Sequence, residues 1–180
     1  MLSQEVIVKS PNLVFTHIDR IDARSGRKSV LLEKEGLLLF APDLSPDGRW
    51  VVFQARELST YNQGLNKEQL FIAPMSADGP VDPARWVAIT DLKYFDANPM
   101  WSRDGKNLYF ISDRDGSSCL WALRLDQGTK KPVGAPFAVK HFHGNPRRFT
   151  SYPQFCVGRD RIIISLDQVQ SDLWMMQLPK

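Results

Sequence analysis

The sequence is poor in the features that mark several large classes of protein. It has only two cysteines, Cys119 and Cys156, which make neither a disulfide framework nor a zinc site, so both are expected to be buried free thiols. No strictly apolar run is longer than Leu37–Ala41, far short of the roughly 20 residues of a membrane helix. Residues 1–12 lack the basic start and apolar stretch of a signal peptide. We therefore expect a soluble chain without a membrane segment.

Motifs for the commonest catalytic reactions are also missing. There is no Gly-x-Ser-x-Gly elbow, no glycine-rich phosphate loop, no His-Arg-Asp and no Asp-Phe-Gly, and the strand-like Val87–Thr90 lacks the kinase lysine. A sustained helical period is absent as well, which predicts almost no helix. We expect no catalytic residue and no cofactor, so any enzymatic activity would lie outside this chain.

What the sequence does contain is an internal repeat. Three segments align, each with a proline near its start, an apolar anchor, a tight turn and a β-rich run: Ala41–Arg56, Ala97–Gly116 and Ser151–Asp167. Their anchors are Leu44, Trp101 and Phe155, which are 57 and 54 positions apart. A fixed period of this length is typical of repeat architectures.

The turns of the first two copies have a clear chemistry. In Ser45–Gly48, proline presets φ, aspartate can bond forward to the backbone, and glycine supplies a positive φ. Ser102–Gly105 keeps the Asp-Gly pair of a hairpin turn. The third copy has Gly158–Asp160 at this place and lacks the Asp-Gly pair.

Further strands follow in each unit. A third strand carries an aligned apolar pair: Leu70-Phe71, Leu120-Trp121 and Leu173-Trp174. Fourth strands are predicted at Trp86–Thr90 and Pro136–Lys140. Four short strands in roughly 50 residues predict an all-β fold of antiparallel β-propeller blades, with about three and a half blades in a partial or half ring.

The predicted organisation is a single propeller region over residues 1–180. Residues 1–36 form a partial blade whose third and fourth strands are recognisable, and residues 37–93 and 94–144 form two further blades. Residues 145–180 form the last blade, which another strand can complete. Since closed rings have four to eight blades, the remainder must come from more chain or from a homo-oligomer that closes the ring.

These residues resemble the TolB-like propeller repeat, a relative of the WD-type repeat. The resemblance rests on the apolar-Ser-Pro-Asp-Gly turn, the Ser112–Gly116 loop and the Leu-Trp strand. It implies a ring that binds protein or peptide partners, as in the C-terminal part of bacterial multidomain proteins where a propeller follows a serine/threonine kinase or a DNA-binding domain. The compartment, bacterial cytoplasm or periplasm, then depends on sequence outside this chain.

Two patterns in the sequence are candidate metal sites. His141 and His143 lie on one face of a strand and are candidate zinc or copper ligands, but no third ligand is evident locally, so a surface or inter-blade hydrogen-bonding role is expected. His17 is expected to be structural. The acidic loop Asp113–Gly116 is similar to the start of a calcium-binding loop, but the further acidic ligands of such a loop do not follow it. We interpret it as a turn between strands.

Two other segments are candidate binding surfaces. From Gln127 to Arg159 there is no acidic residue, and this stretch includes Lys130 and the candidates Arg147 and Arg148, which predict a basic loop surface or an anion site. Nucleic acid is not favoured as a partner. The loop Glu57–Glu68 carries the other two candidates, Tyr61 and Asn62.

The functional hypothesis is a non-catalytic module that binds protein or peptide within a larger protein or assembly. One alternative is a propeller accessory to a serine/threonine kinase or a peptidase. The other is a propeller that itself binds a ligand or a metal.

Overall fold

The computed structural model describes residues 1–10, 13–59, 67–145, 147–149, 154–168 and 175–176. Their regular secondary structure is almost entirely β-strand, with a 3₁₀ turn at Pro83–Arg85. The prediction of an all-β chain with almost no helix is therefore confirmed. Within the described ranges, no helix is long and apolar enough to cross a membrane.

The strands form successive antiparallel sheets in chain order. The first sheet contains β1 (Leu2–Ser10), β2 (Leu13–Ile21) and β3 (Lys28–Leu32). The second contains β4 (Leu37–Leu44), β5 (Trp50–Glu57), β6 (Gln69–Pro74) and β7 (Val87–Ala88). The third contains β8 (Asp96–Trp101), β9 (Asn107–Ser112), β10 (Cys119–Leu125) and β11 (Pro132–Lys140).

The C-terminal strands are shorter. Strand β12 (Arg147–Phe149) pairs with β15 (Leu166–Gln168), and β13 (Phe155–Val157) pairs with β14 (Ile162–Ile164). The strand predicted at Leu173-Trp174 and the start of the third repeat at Ser151 lie outside the described residues. The two four-stranded sheets confirm the predicted blade architecture.

The turn of the repeat is built identically in both sheets. The Ser45 hydroxyl donates to Asp47 at 2.6 Å and accepts the Trp50 N–H at 2.9 Å. Ser102, Asp104 and Asn107 repeat these bonds at the same two distances. Glycine is required because Gly48 and Gly105 have φ of 69° and 67°.

Apolar packing between neighbouring sheets forms the core. Val51 and Phe53 of β5 face the first sheet, whereas Val52 between them faces the third sheet. Both faces of this strand are therefore buried, which explains its continuous apolar run. A third cluster, which includes Ile111 and Phe155, joins the third sheet to the C-terminal strands.

Two burial predictions were wrong. Cys156 is exposed, because strand alternation turns its neighbour Phe155 into the core and Cys156 outward, while Cys119 is buried and both thiols are free. Lys130 is not on an exposed basic surface: it is buried, and its ammonium lies 5.7 Å from the centre of the Trp101 ring.

We predict that Gly48→Ala lowers the free energy of unfolding by about 1 kcal/mol, because alanine resists the positive φ of this position. Nothing lies within 4 Å of the added methyl group, so backbone strain alone is tested. Urea denaturation measures the effect. The matched control is Gly128→Ala, in a turn without positive φ, which should change stability far less. Equal losses in the two variants would contradict the explanation.

Candidate functional site

Strands β4 and β8, the inner strands of two sheets, line an open groove together with the start of β13. Its cavity is about 300 Å³. The lining residues directly precede the anchors of the three repeats and include the third anchor itself: Ala41, Pro42, Asp43, Asn98, Pro99, Met100, Gln154 and Phe155. The groove, so defined, is the strongest candidate for a binding site.

Matching irregularities in β4 and β8 shape the groove. The pairing of β4 with β5 shifts between Phe40 and Asp43, and that of β8 with β9 shifts between Ala97 and Met100. Ala41 and Asn98, at these shifts, have φ of 45° and 49°. Strained bulges of this kind bend a strand and recur next to binding sites. The prolines that follow cannot donate to a ladder, which favours interruption of the pairing there.

Asp43 links the two sheets beside the groove. Its Oδ2 accepts the backbone N–H of Trp101 at 2.9 Å, and the Trp101 indole N–H donates to the Asp43 carbonyl at 3.3 Å. Burial raises the pKa of Asp43, although the backbone N–H groups of Trp101 and Leu44 oppose the shift. The carboxylate therefore has a structural role in fixing the relative position of β4 and β8.

A buried polar network supports the groove from behind. The Gln54 side-chain oxygen accepts the Asn98 N–H at 2.9 Å, and the Gln54 amide donates to Glu68. Glu68 also lies 3.6 Å from the Arg56 guanidinium and is 4% exposed. Burial raises the pKa of Glu68 to about 7, and the Arg56 charge only partly opposes this effect.

A second cluster lies at the other end of the third sheet. One Asp115 oxygen is 2.6 Å from Nδ1 of His141 and 3.1 Å from Nε2 of His143. The Cys119 sulfur joins them, and one ligand atom from each of the four residues lies within 4.8 Å of all the others. We call these four residues the His–Cys–Asp cluster.

The electrostatics of this cluster are mixed. Burial alone would raise the pKa of Asp115, but the contacts with His143 and His141 lower it below its ordinary value. Burial raises the pKa of the Cys119 thiol, which also accepts the Phe142 N–H at 3.3 Å. The arrangement holds two nitrogen donors, one sulfur donor and one oxygen donor around a common centre.

No protein-family model matches the chain, and no curated protein sequence matches it. Solved structures do. TolB from Acinetobacter baumannii is 17% identical with a TM-score of 0.56, covering 91% of this chain and 37% of that one. The β-propeller domain of the Trilobed protease from Pyrococcus furiosus, which has an open velcro topology, is 17% identical with a TM-score of 0.53, covering 91% and 44%. A puromycin hydrolase is 19% identical with a TM-score of 0.59, covering 91% and 25%.

The fold is that of a TolB-like β-propeller. The expected resemblance is thus confirmed at the level of architecture. Identities below 20% establish the fold alone, and the chain spans less than half the length of each of these structures.

The residues predicted from the sequence are spread over this propeller. Arg147 is exposed on β12 and its backbone N–H is bonded to Asn145 at 2.9 Å; Arg148 follows it in the same strand. Tyr61 and Asn62 lie outside the described residues. The structure brings His141 and His143 together, with ring centroids 5.1 Å apart, but it does not bring Arg147 into the groove.

Sequence reasoning missed two members of the His–Cys–Asp cluster. No third ligand is evident beside the His-Phe-His segment in the sequence, because Asp115 and Cys119 come from the preceding hairpin. The predicted strand order contained a usable signal. In an antiparallel blade, the turn after the second strand and the end of the fourth strand lie at the same edge of the sheet.

We predict that Glu68 makes stability depend on pH between about 4.5 and 7. The folded state keeps a proton that the unfolded chain releases in this window, so the contribution of Glu68 to stability falls as pH rises and is constant on either side. Relative to Glu68→Gln, the native chain should lose about 3 kcal/mol of unfolding free energy across the window. Urea unfolding at several pH values measures this difference.

The control for that series is Glu33→Gln, at an exposed carboxylate. It should leave the pH profile of the native chain unchanged. A Glu68→Gln profile parallel to the native one would show that burial of Glu68 does not control this dependence.

Proposed function

We propose that this chain is a non-catalytic propeller module that binds a protein or peptide segment in the groove, within a longer propeller or an assembly. The groove itself carries the proposal. Its lining residues lie at or next to the anchors of the three repeats, where the pairing of β4 and β8 is interrupted. At such positions backbone and side chains are available to contact a partner. The bound partner would be an extended segment with an apolar side chain.

The lining suits such a segment. Pro42, Pro99, Met100 and Phe155 provide an apolar floor, and Asn98 and Gln154 are polar groups that can orient a bound chain. Largely apolar clefts with a few polar groups are the usual form of binding sites. The cavity is small and open, which favours one or two anchoring side chains over a whole enclosed ligand.

The same lining supports a non-catalytic role. Among the eight lining residues there is no serine, cysteine, histidine or lysine. The only ionisable group is Asp43, and its Oδ2 already accepts the Trp101 N–H. A nucleophile with an adjacent base is thus missing from the groove.

A propeller that serves a peptidase is the second candidate. It is favoured by the likeness to a puromycin hydrolase and to the Trilobed protease domain. In this case the groove would bind a substrate segment for a catalytic domain outside these residues. The full-length sequence separates the two candidates, since a hydrolase domain in the same chain would support the second.

We predict that Gln154→Arg weakens peptide binding at least tenfold, because a long cation at the exposed rim crosses the mouth of the groove. Peptides selected from a displayed random library serve as probes, and calorimetry measures their affinity. Gln4→Arg adds the same charge at an exposed residue of β1, outside the groove, and should leave the affinity unchanged. Selected peptides that bind all three proteins equally would count against the groove.

The last blade supports the need for a larger assembly. On the paired strands β13 and β14, Phe155 and Ile164 pack inward, whereas the cross-strand partners Cys156 and Ile163 face outward. Ile163 is 63% exposed. The outward face would be covered if another blade packed there, as neighbouring sheets do elsewhere in this chain.

We predict that the 180-residue chain associates in solution to twice its 20.5 kDa mass, measured by light scattering. Ile163→Glu should return it to the monomer by placing a charge on the outward face. Val133→Glu is the matched control, because Val133 is 52% exposed on β11, and it should leave the dimer intact. A native chain that remains monomeric at high concentration would contradict closure by a second copy.

A further inference from the structure

The His–Cys–Asp cluster is assembled by the topology of the third sheet. Strand β9 ends at Ser112 and β10 begins at Cys119, so the turn that carries Asp115 lies at one edge of the sheet. Strand β11 runs antiparallel to β10, and Leu120 pairs with Lys140. His141 therefore emerges beside Cys119, and His143 follows on the same side.

The central phenylalanine of the His-Phe-His segment fixes both imidazoles. Phe142 is buried against Phe149, with ring centroids 4.9 Å apart. Its backbone N–H donates to the Cys119 sulfur. Because Phe142 points into the core, its two neighbours point outward together, and the Trp121 ring supports His141 edge-on at 5.8 Å.

The donor set is that of a transition-metal site. Thiolate, imidazole and carboxylate are the zinc ligands of proteins, and four of them complete a tetrahedral shell. Calcium and magnesium prefer oxygen alone, so sulfur and two nitrogens point to zinc or a similar borderline divalent ion. The Glu5, His17 and Asp19 group elsewhere in the chain has no sulfur donor and only three members.

The spacing needs little adjustment. Zinc bonds of about 2.0 to 2.3 Å place tetrahedral ligand atoms roughly 3.3 to 3.8 Å apart. The nitrogen–oxygen distances here are 2.6 and 3.1 Å, and all four donors lie within 4.8 Å of one another. Shifts of about 1 Å by the two exposed imidazoles would therefore bring the donor atoms to the spacing of a tetrahedral zinc site.

Asp115 provides an independent indication. Both of its carboxylate oxygens are inaccessible to solvent, and the ring nitrogens of His141 and His143 lie against one of them. A carboxylate in this condition is costly unless it is paired with a cation. The ring nitrogens of His141 and His143, at 2.6 and 3.1 Å, supply part of this pairing, and a shared cation would bind between the same atoms.

We propose that Asp115, Cys119, His141 and His143 bind one zinc ion. With four protein ligands the shell has no open position, so the site is structural. It joins the turn between β9 and β10 to the end of β11. The site is separate from the groove, and its function does not depend on the proposed peptide binding.

The test is titration of the metal-free, reduced chain with Zn²⁺ alone, followed by calorimetry, and with Co²⁺, followed by absorption. We expect one ion per chain, a thiolate-to-cobalt charge-transfer band and a rise in Tm with Zn²⁺. His143→Ala, at an exposed residue, should lower the Zn²⁺ affinity at least tenfold, and Cys119→Ser should abolish the charge-transfer band.

Matched controls make the result decisive. Cys156→Ser removes the exposed thiol, and His17→Ala disrupts the other acidic and histidine group; both should bind Zn²⁺ like the native chain. Circular dichroism checks that each variant is folded, and the exposed His143 keeps the test valid if Cys119→Ser is unstable. Absence of Zn²⁺ binding by the folded native chain, or affinity that survives His143→Ala, would overturn the proposal.

Discussion

Sheet-on-sheet packing is the constraint on which this structure depends. A central strand such as β5 buries both faces, with Val51 and Phe53 directed to one neighbour and Val52 to the other. The second sheet cannot then be stable by itself, since removal of either neighbour would expose a complete apolar face to water. The same constraint explains the repeat: each unit must present two apolar faces and must turn at the same point to keep them in register.

Polar contacts across these apolar interfaces give the groove its shape. Packing alone is non-directional and would tolerate small sliding of one sheet over the next. The bonds from Trp101 to Asp43 and from Asn98 to Gln54 are directional, and they connect adjacent sheets at the residues that line or support the groove. Buried polar groups of this kind are costly when unsatisfied, so they favour one relative position of the sheets.

The sequence predicted the features that depend on local chemistry and periodicity. The Asp-Gly turns were recognisable because few residues accept a positive φ, and the strands after them because apolar residues filled both faces. The burial of individual side chains was harder to predict. Cys156 was assigned to the core on its residue type, but the side of the strand is determined by Phe155, whose partner surface belongs to a distant part of the chain.

The candidate sites were predicted less completely, for the same reason. Nothing local marks Ala41 and Asn98 as strained bulges that open a groove, because the interruption appears only when the partner strands are known. His141 and His143 were found by their alternation in the sequence, but Asp115 and Cys119 required the pairing of β9, β10 and β11. Neighbouring positions in the sequence do not reveal contacts between strands that are more than 20 residues apart, even when each strand is predicted correctly.

The two candidate sites are connected through one side chain. Arg114, next to Asp115, lies 2.7 Å from the fully buried Asp96 at the start of β8, and its guanidinium packs about 5 Å from the rings of Tyr94, Phe110 and Trp121. The turn that supplies Asp115 to the cluster is thus the turn that anchors β8, and Asn98 in the groove is two residues beyond Asp96. An ion that orders this turn would therefore also restrain the inner strand, through a buried charge pair that is stable only while both partners stay in place.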